Sequence, residues 1–225
     1  SSAASDVYKR QQVYGLIAEG FFKDEADIAS SPTQNFSTVV PGDIKYKDVN
    51  GDGTIDSNDQ IAIGYSTVAP EIYYSFHLGA EWRGIGFSAM FQGTANYSAV
   101  LNTKSMFWPL INNTTLSSHY YENRWTPENL NAKYPRLSSQ SNANNYQTNT
   151  IWLEDRSFLK LRNVELYYKF PKNLMQKTKI LGSAKFYVRG VDLLCFDKID
   201  VADPESYGAT NPLNKSVVVG LKIGF

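Results

Sequence analysis

The chain has a single cysteine, Cys195, so no disulfide framework can brace it from within. Its two histidines, His77 and His119, are too few for most histidine-based metal sites. Lys plus Arg and Asp plus Glu are both 22, giving zero net charge, and no long basic run occurs, which argues against a nucleic-acid partner. No apolar run approaches the ~18 residues of a membrane helix. That absence does not exclude a membrane protein, because barrel strands cross with only ~9–11 alternating residues. An initiator Met and a legible signal peptide are also missing: the chain opens Ser1-Ser2-Ala3-Ala4 and reads as truncated. Residues 1–11 look like translated sequencing-adapter read-through, and the fold is sought in residues 12–225.

Aromatic residues are plentiful at 14%, a composition that favours strands and interfacial rings. The clearest strand is Glu71 to Trp82. Ile72, Tyr74, Phe76, Leu78, Ala80 and Trp82 share one face, and the alternation runs without a slip. Arg83-Gly84 is a tight turn, and Gly86 to Ala95 runs back as a hairpin partner. Ile151 to Phe170 is again extended, with Leu159 and Leu161 out of phase with Val164, Leu166 and Tyr168. That slip predicts a bulge near Arg162-Asn163. Ser183 to Phe196 shows a second apparent phase change, at Gly190, from Ala184, Phe186 and Val188 to Val191, Leu193 and Cys195. The last strand is 216–225, with Val217, Val219, Leu221, Ile223 and Phe225 on one face. Earlier, Asp24 to Ala29 has the pattern of one helical turn capped by Asp24.

Between the first short strands lies residues 48–59, Asp48-Val49-Asn50-Gly51-Asp52-Gly53-Thr54-Ile55-Asp56-Ser57-Asn58-Asp59. Oxygen-bearing side chains fall at positions 1, 3, 5, 7, 9 and 12, with Gly53 at position 6. This is the spacing of a twelve-residue calcium loop, and it names Asp48, Asn50, Asp52, Thr54, Asp56 and Asp59 as metal ligands. Asp59 replaces the usual Glu at position 12, so bidentate capture weakens. The same residues also make an Asn/Asp/Gly turn that needs no metal. The flanks are strand-like rather than helical, so the site would brace a loop instead of opening a sensor.

Residues 97–150 have no sustained period and are rich in Asn, Ser, Thr and Tyr, with Trp108 and Trp125 among them. A connection this long is usually functional, and its aromatics indicate a folded loop able to bind. Connections thus alternate, short or moderate at one end and long at the other, as in an outer-membrane barrel. The fold class is all-β: an incomplete set of C-terminal strands of a transmembrane antiparallel barrel with long extracellular loops. About five clear strands cannot close, since the smallest single-chain barrels have about eight. A soluble secreted module binding calcium and carbohydrate is the alternative reading. Enzymatic activity is not expected. Glu122, Glu128, Glu154 and Asp155 are carboxylates on polar segments, and no motif fixes them as an acid–base pair.

The segment Pro41 to Asp56 resembles the loop shared by SusC/RagA-like TonB-linked outer-membrane proteins. Phe87-Ser88-Ala89-Met90-Phe91-Gln92-Gly93, Ser157 to Val164, Tyr168-Lys169-Phe170-Pro171 and Gly220-Leu221-Lys222-Ile223-Gly224-Phe225 are similar to later segments of that family, in family order. The resemblance implies the C-terminal part of a 22-stranded importer of glycans, oligosaccharides or peptides in the outer membrane of a Gram-negative bacterium. It implies a SusD-like surface lipoprotein and the TonB complex as partners, with outer-membrane lipid around the strands. Phe225 would then serve recognition by the barrel-assembly machinery. Residues of the plug and TonB box have no counterparts here.

Overall fold

A computed structural model describes residues 12–101, 107–177, 179–206 and 213–225. Residues 1–11, read above as non-native, lie outside this set. The chain divides into two compact units. The first holds residues up to Ala69 together with Tyr97–Asp155, and the second holds Pro70–Asn96 with Arg156–Phe225.

The first unit is assembled from short paired strands. β1 (Val13–Gly15) pairs with β6 (Ile61–Gly64), and β2 (Ala18–Phe21) pairs with β4 (Ile44–Tyr46). β3 (Thr33–Gln34) lies parallel to β5 (Thr54–Ile55), and β9 (Ser98–Val100) pairs with β10 (Leu153–Asp155). Helix α1 (Glu25–Ala29) begins where Asp24 accepts the backbone N–H of Asp27, the cap that the sequence predicts. Strands this short cannot bury a core by pairing alone. Instead a column of rings fills the interior: Tyr120 stacks on Tyr134 at 4.8 Å, and Tyr134 on Trp152 at 5.8 Å. Leu16, Phe22, Ile44, Tyr46 and Ile55 close the rest. Tyr120 belongs to helix α2 (Ser118–Asn123), which lies within the long segment that has no sustained period.

The second unit is one antiparallel sheet in the order β13-β12-β11-β8-β7. Its strands are β7 (Ile72–Trp82), β8 (Ile85–Ala95), β11 (Phe158–Lys169), β12 (Ser183–Asp197) and β13 (Ser216–Gly224). Arg83 and Gly84 join β7 to β8 with φ of 50° and 86°, the pair of positive angles that a type I′ hairpin requires. At that same end β11 reaches β12 through helix α3 (Lys172–Lys177). The long connections, residues 96–157 and 198–215, leave from the opposite end, where Thr94, Phe158 and Asp197 stand in register. The predicted asymmetry of short and long connections is therefore present.

Alternation divides the sheet chemically. Ala80, Phe87, Leu166, Val188 and Val219 form one cross-strand row. The adjacent row, pointing the other way, is Gly79, Ser88, Glu165, Arg189 and Val218. The apolar face is open: Leu78, Leu166, Val219 and Leu221 are each more than half exposed. Burying such a face in water would need a second layer, whereas a barrel wall leaves it for lipid. The sheet is not closed: β7 and β13 are its edges.

Both predicted irregularities occur, with one correction. In β11 the register jumps from Leu161 to Asn163 against both neighbours, leaving Arg162 as the extra residue. In β12 the irregularity sits at Asp192-Leu193 rather than at Gly190, with Asp192 at φ 51°. Skipping two residues restores parity, so Leu194 and Phe196 rejoin Phe186 and Val188 on the apolar face. The expected outward set of Val191, Leu193 and Cys195 is thus replaced, because a two-residue bulge preserves the alternation that a one-residue bulge reverses.

Candidate functional site

The calcium-type loop folds around its own amide groups. Asp48 accepts the N–H of Gly51 at 2.6 Å on Oδ1 and that of Gly53 at 2.8 Å on Oδ2. Asn50 Oδ1 takes the N–H of Asp52, and Asp52 Oδ1 takes that of Thr54, both at 2.9 Å. Asp56 caps a short 3₁₀ turn, Ser57–Asp59, by accepting the N–H of Asn58 at 2.7 Å. Gly53 holds φ 82°, the conformation for which position 6 needs glycine.

Asp59 behaves differently from the others. It is fully buried, and its carboxylate accepts the N–H groups of Val49, Asn50 and Asp56. Burial pushes its pKa upward, but the three amides outweigh burial and hold the group below the usual carboxylate range. Asp59 therefore ties the two ends of the loop together. Thr54 and Ile55 form β5, and Ile55, at position 8 of the loop, is fully buried and anchors it inward. The donor set is all oxygen, as a hard cation requires, and the fit to calcium rests on that chemistry and on the spacing. Among the described residues, no three His, Cys, Asp or Glu side chains converge on one point.

The asparagines of the long segment point inward. Asn144 gives Nδ2–H to Ile44 O at 2.9 Å and accepts from Gln34 Nε2 at 2.6 Å. Asn145 accepts the Ile44 N–H, and Asn149 donates to Tyr46 Oη. These amides complete the hydrogen bonding of β4, so the loop is folded, but its buried asparagines are spent on the fold. Burial pushes the Tyr46 phenol far above its usual pKa, leaving it a permanent donor to Asn144 O. Trp125 lies flat against Gly42, where a Cβ would have no room, and Trp152 donates Nε1–H to Asn145 O. Trp108 alone of these tryptophans is substantially exposed, stacked on Tyr146 at 4.2 Å and 17°.

Two charged clusters lie outside the site residues that the sequence singles out. In the first unit, the fully buried Asp43 accepts from Arg136 Nε at 2.7 Å, Asn142 Nδ2 at 2.9 Å, Asn145 Nδ2 at 3.0 Å and the Val40 N–H at 3.0 Å. In the second unit, buried Lys160 bonds Asp203 at 2.9 Å and Glu205 at 2.7 Å. The bulged Arg162 reaches Gln92, Asp192 and Glu205. Burial works against ionisation of Asp203 and Glu205, yet Lys160 and Arg162 hold both below the usual carboxylate range. Alternate charged positions inside a strand were the available signal. The distant Asp203-Pro204-Glu205 that answers them carries no periodic mark. Glu154, one of the four carboxylates considered for acid–base work, pairs with Lys133 at 3.0 Å.

No protein-family model matches the chain. Among curated proteins it is similar to TonB-dependent receptor P26 of Formosa agariphila, 27% identical over 202 residues, which is 85% of this chain and 19% of that protein. TonB-dependent receptor P3 of the same organism is 26% identical over 185 residues, covering 82% of this chain and 18% of the relative. The chain resembles a TonB-dependent receptor. It spans about a fifth of the length of the curated relatives it matches. Among solved structures, the RagAB peptide transporter superposes with a TM-score of 0.69 at 24% identity, over 95% of this chain and 22% of that one. The RagAB peptide importer in its open-open state gives 0.66 at 23%, again over 95% and 22%. These likenesses establish the fold: the strands are of the TonB-dependent transporter barrel type. The proteins similar to this chain are receptors and transporters by name, not enzymes.

Proposed function

We propose that this chain forms part of the wall and surface loops of a TonB-dependent outer-membrane transporter that imports glycans, oligosaccharides or peptides. The observation that carries the reading is the row-by-row split of the sheet into an open apolar face and an ionic face. A transporter needs lipid contact outside and water inside, and this alternation supplies both. A SusD-like lipoprotein partner and energy from the TonB complex follow from the resemblance; the fold shared with RagAB is compatible with both. The test uses the full-length receptor that carries this chain, in its own Gram-negative host. Deleting its gene should abolish uptake of one labelled class among oligosaccharide and peptide pools. Dissipating the proton gradient should abolish uptake by the wild type as well. Uptake of every pool at the wild-type rate in the deletion strain would overturn the reading.

We further propose that residues 48–59 bind calcium, with Asp48, Asn50, Asp52, Thr54, Asp56 and Asp59 as the holding residues and a structural role for the ion. A site of this kind outside the cytosol works at a Kd of about 10⁻⁴–10⁻³ M. Calcium at ten times Kd should then stabilise the loop-bearing unit by about 1.4 kcal/mol. Asp48→Ala together with Asp52→Ala should remove that gain in a thermal melt. An unchanged Tm on adding calcium to the wild-type receptor would remove the metal from the account.

A further inference from the structure

The short-turn end of the sheet holds a cavity of about 530 Å³ that the import reading does not use. Five cations line it: Arg83, Lys169, Lys172, Lys185 and Lys222. No Asp or Glu side chain lines it, and the chain-terminal carboxyl group of Phe225 lies beside Gly182 at its edge. Three of the lysines are direct cross-strand neighbours, since Lys169 faces Lys185 and Lys185 faces Lys222. Like charges placed opposite each other in a sheet repel, so this row needs compensation. Two members have it on the ionic face: Lys169 bonds Glu81 at 2.6 Å, and Lys185 bonds Glu165 at 2.6 Å. Among the described residues, Lys172 and Lys222 have no ion pair. Arg83 has its guanidinium 4.6 Å over the Trp82 ring, a contact that leaves its charge unneutralised.

The rest of the lining is apolar or backbone. Phe170, Pro171, Ala184 and Ile223 supply carbon, and Ser183 supplies a hydroxyl. Near this end the open apolar face carries the row Trp82, Ile85, Tyr168, Phe186 and Leu221, with Ala184 and Ile223 one row further out. Aromatic residues near the end of a barrel wall mark the headgroup level. Cations, an apolar floor and that level together describe an amphiphilic anion. Basic pockets beside membrane strands or helices take phosphorylated headgroups in this way.

We propose that Arg83, Lys172 and Lys222 form a binding site for a phosphate-bearing anion, either a phospholipid headgroup or free phosphate. Phosphate here completes the charge balance of the Lys169–Lys185–Lys222 row and fastens the two turns to the rim of the wall. The site rests on the sheet being a membrane wall and not on what the receptor imports, so lipid binding is read with no import substrate present.

The test is native mass spectrometry of the full-length receptor in non-ionic detergent. The probes are dioctanoyl-phosphatidylglycerol and inorganic phosphate. Combined Arg83→Gln, Lys172→Gln and Lys222→Gln should weaken binding by about fivefold for each charge removed. Lys172→Arg with Lys222→Arg should bind like the wild type, which separates charge from damage to the fold. Displacement of the lipid by millimolar inorganic phosphate assigns the site to phosphate itself. Lipid adducts that survive such phosphate assign it to the headgroup with its tail. Equal binding of both probes by the wild type and the triple variant would overturn the site. Loss of binding in the charge-keeping variant would overturn it too, because recognition would then not rest on charge.

Discussion

Asp43→Ala should cost the loop-bearing unit about 3–5 kcal/mol, the range for removing one partner of a buried ion pair. The substitution strands more than Arg136. The side-chain N–H groups of Asn142 and Asn145 both lose their acceptor on Asp43 Oδ1, and the Val40 N–H loses Oδ2. The carboxylate is fully buried, and each of its donors left unsatisfied costs about 1–3 kcal/mol. Asn145 also orders β4 through Ile44 and receives Trp152, so the defect should spread into the ring column. The measurement is urea unfolding of the full-length receptor followed by tryptophan fluorescence, with Asp43→Asn as the shape-keeping control. Asp43→Asn should be milder, since it keeps an oxygen acceptor. A shift under 1 kcal/mol for the alanine variant would show that the carboxylate is not the hub of this unit.

Val219→Arg in the full-length receptor should cost about 2–4 kcal/mol, the penalty for a cation on the lipid face near the midplane of a barrel. Val218→Arg, one residue earlier on the same strand, should cost far less. Val219 lies in the apolar row beside Val188, whereas Val218 stands opposite Arg189 on the ionic face. Arg189 is itself held by Glu165 at 2.5 Å, so an added arginine there meets like charge but also water and a carboxylate. Reversible folding into short-chain lipid bilayers gives both values. Equal tolerance at the two positions would reverse the assignment of faces.

The wall was legible because period-two alternation is a local signal. Ile72 to Trp82 and Val217 to Ile223 announce their faces without help from the rest of the chain. The slip at Arg162 was legible for the same reason, as a break in an otherwise regular count. Gly190 misled because glycine in a strand marks a bulge only by association, and the left-handed residue is Asp192, two positions on. The loop-bearing unit was nearly illegible. Its strands of two to four residues carry no period, and its order comes from pairs far apart in the chain, such as Asp43 with Arg136 and Gln34 with Asn144. Polar residues that serve as core cannot be told from polar residues that serve as surface by composition alone. Asp48 to Asp59 showed its spacing in the sequence, but not that Asp59 would be drawn inside by three amides.

The bulge at Arg162 sets a rule of arithmetic for this wall. Everything before it in β11 counts odd residues toward lipid, with Leu159 and Leu161, and everything after counts even ones, with Val164, Leu166 and Tyr168. Pairing Arg162 into the ladder, instead of leaving it as the extra residue, would turn part of the strand inside out, setting Leu159 and Leu161 toward water and Lys160 toward lipid. Residues 96–157 do not belong to the five-stranded sheet, so this parity rule does not bind them. Inside the wall an odd change in length keeps the faces in place only where an unpaired residue absorbs it, as Arg162 does.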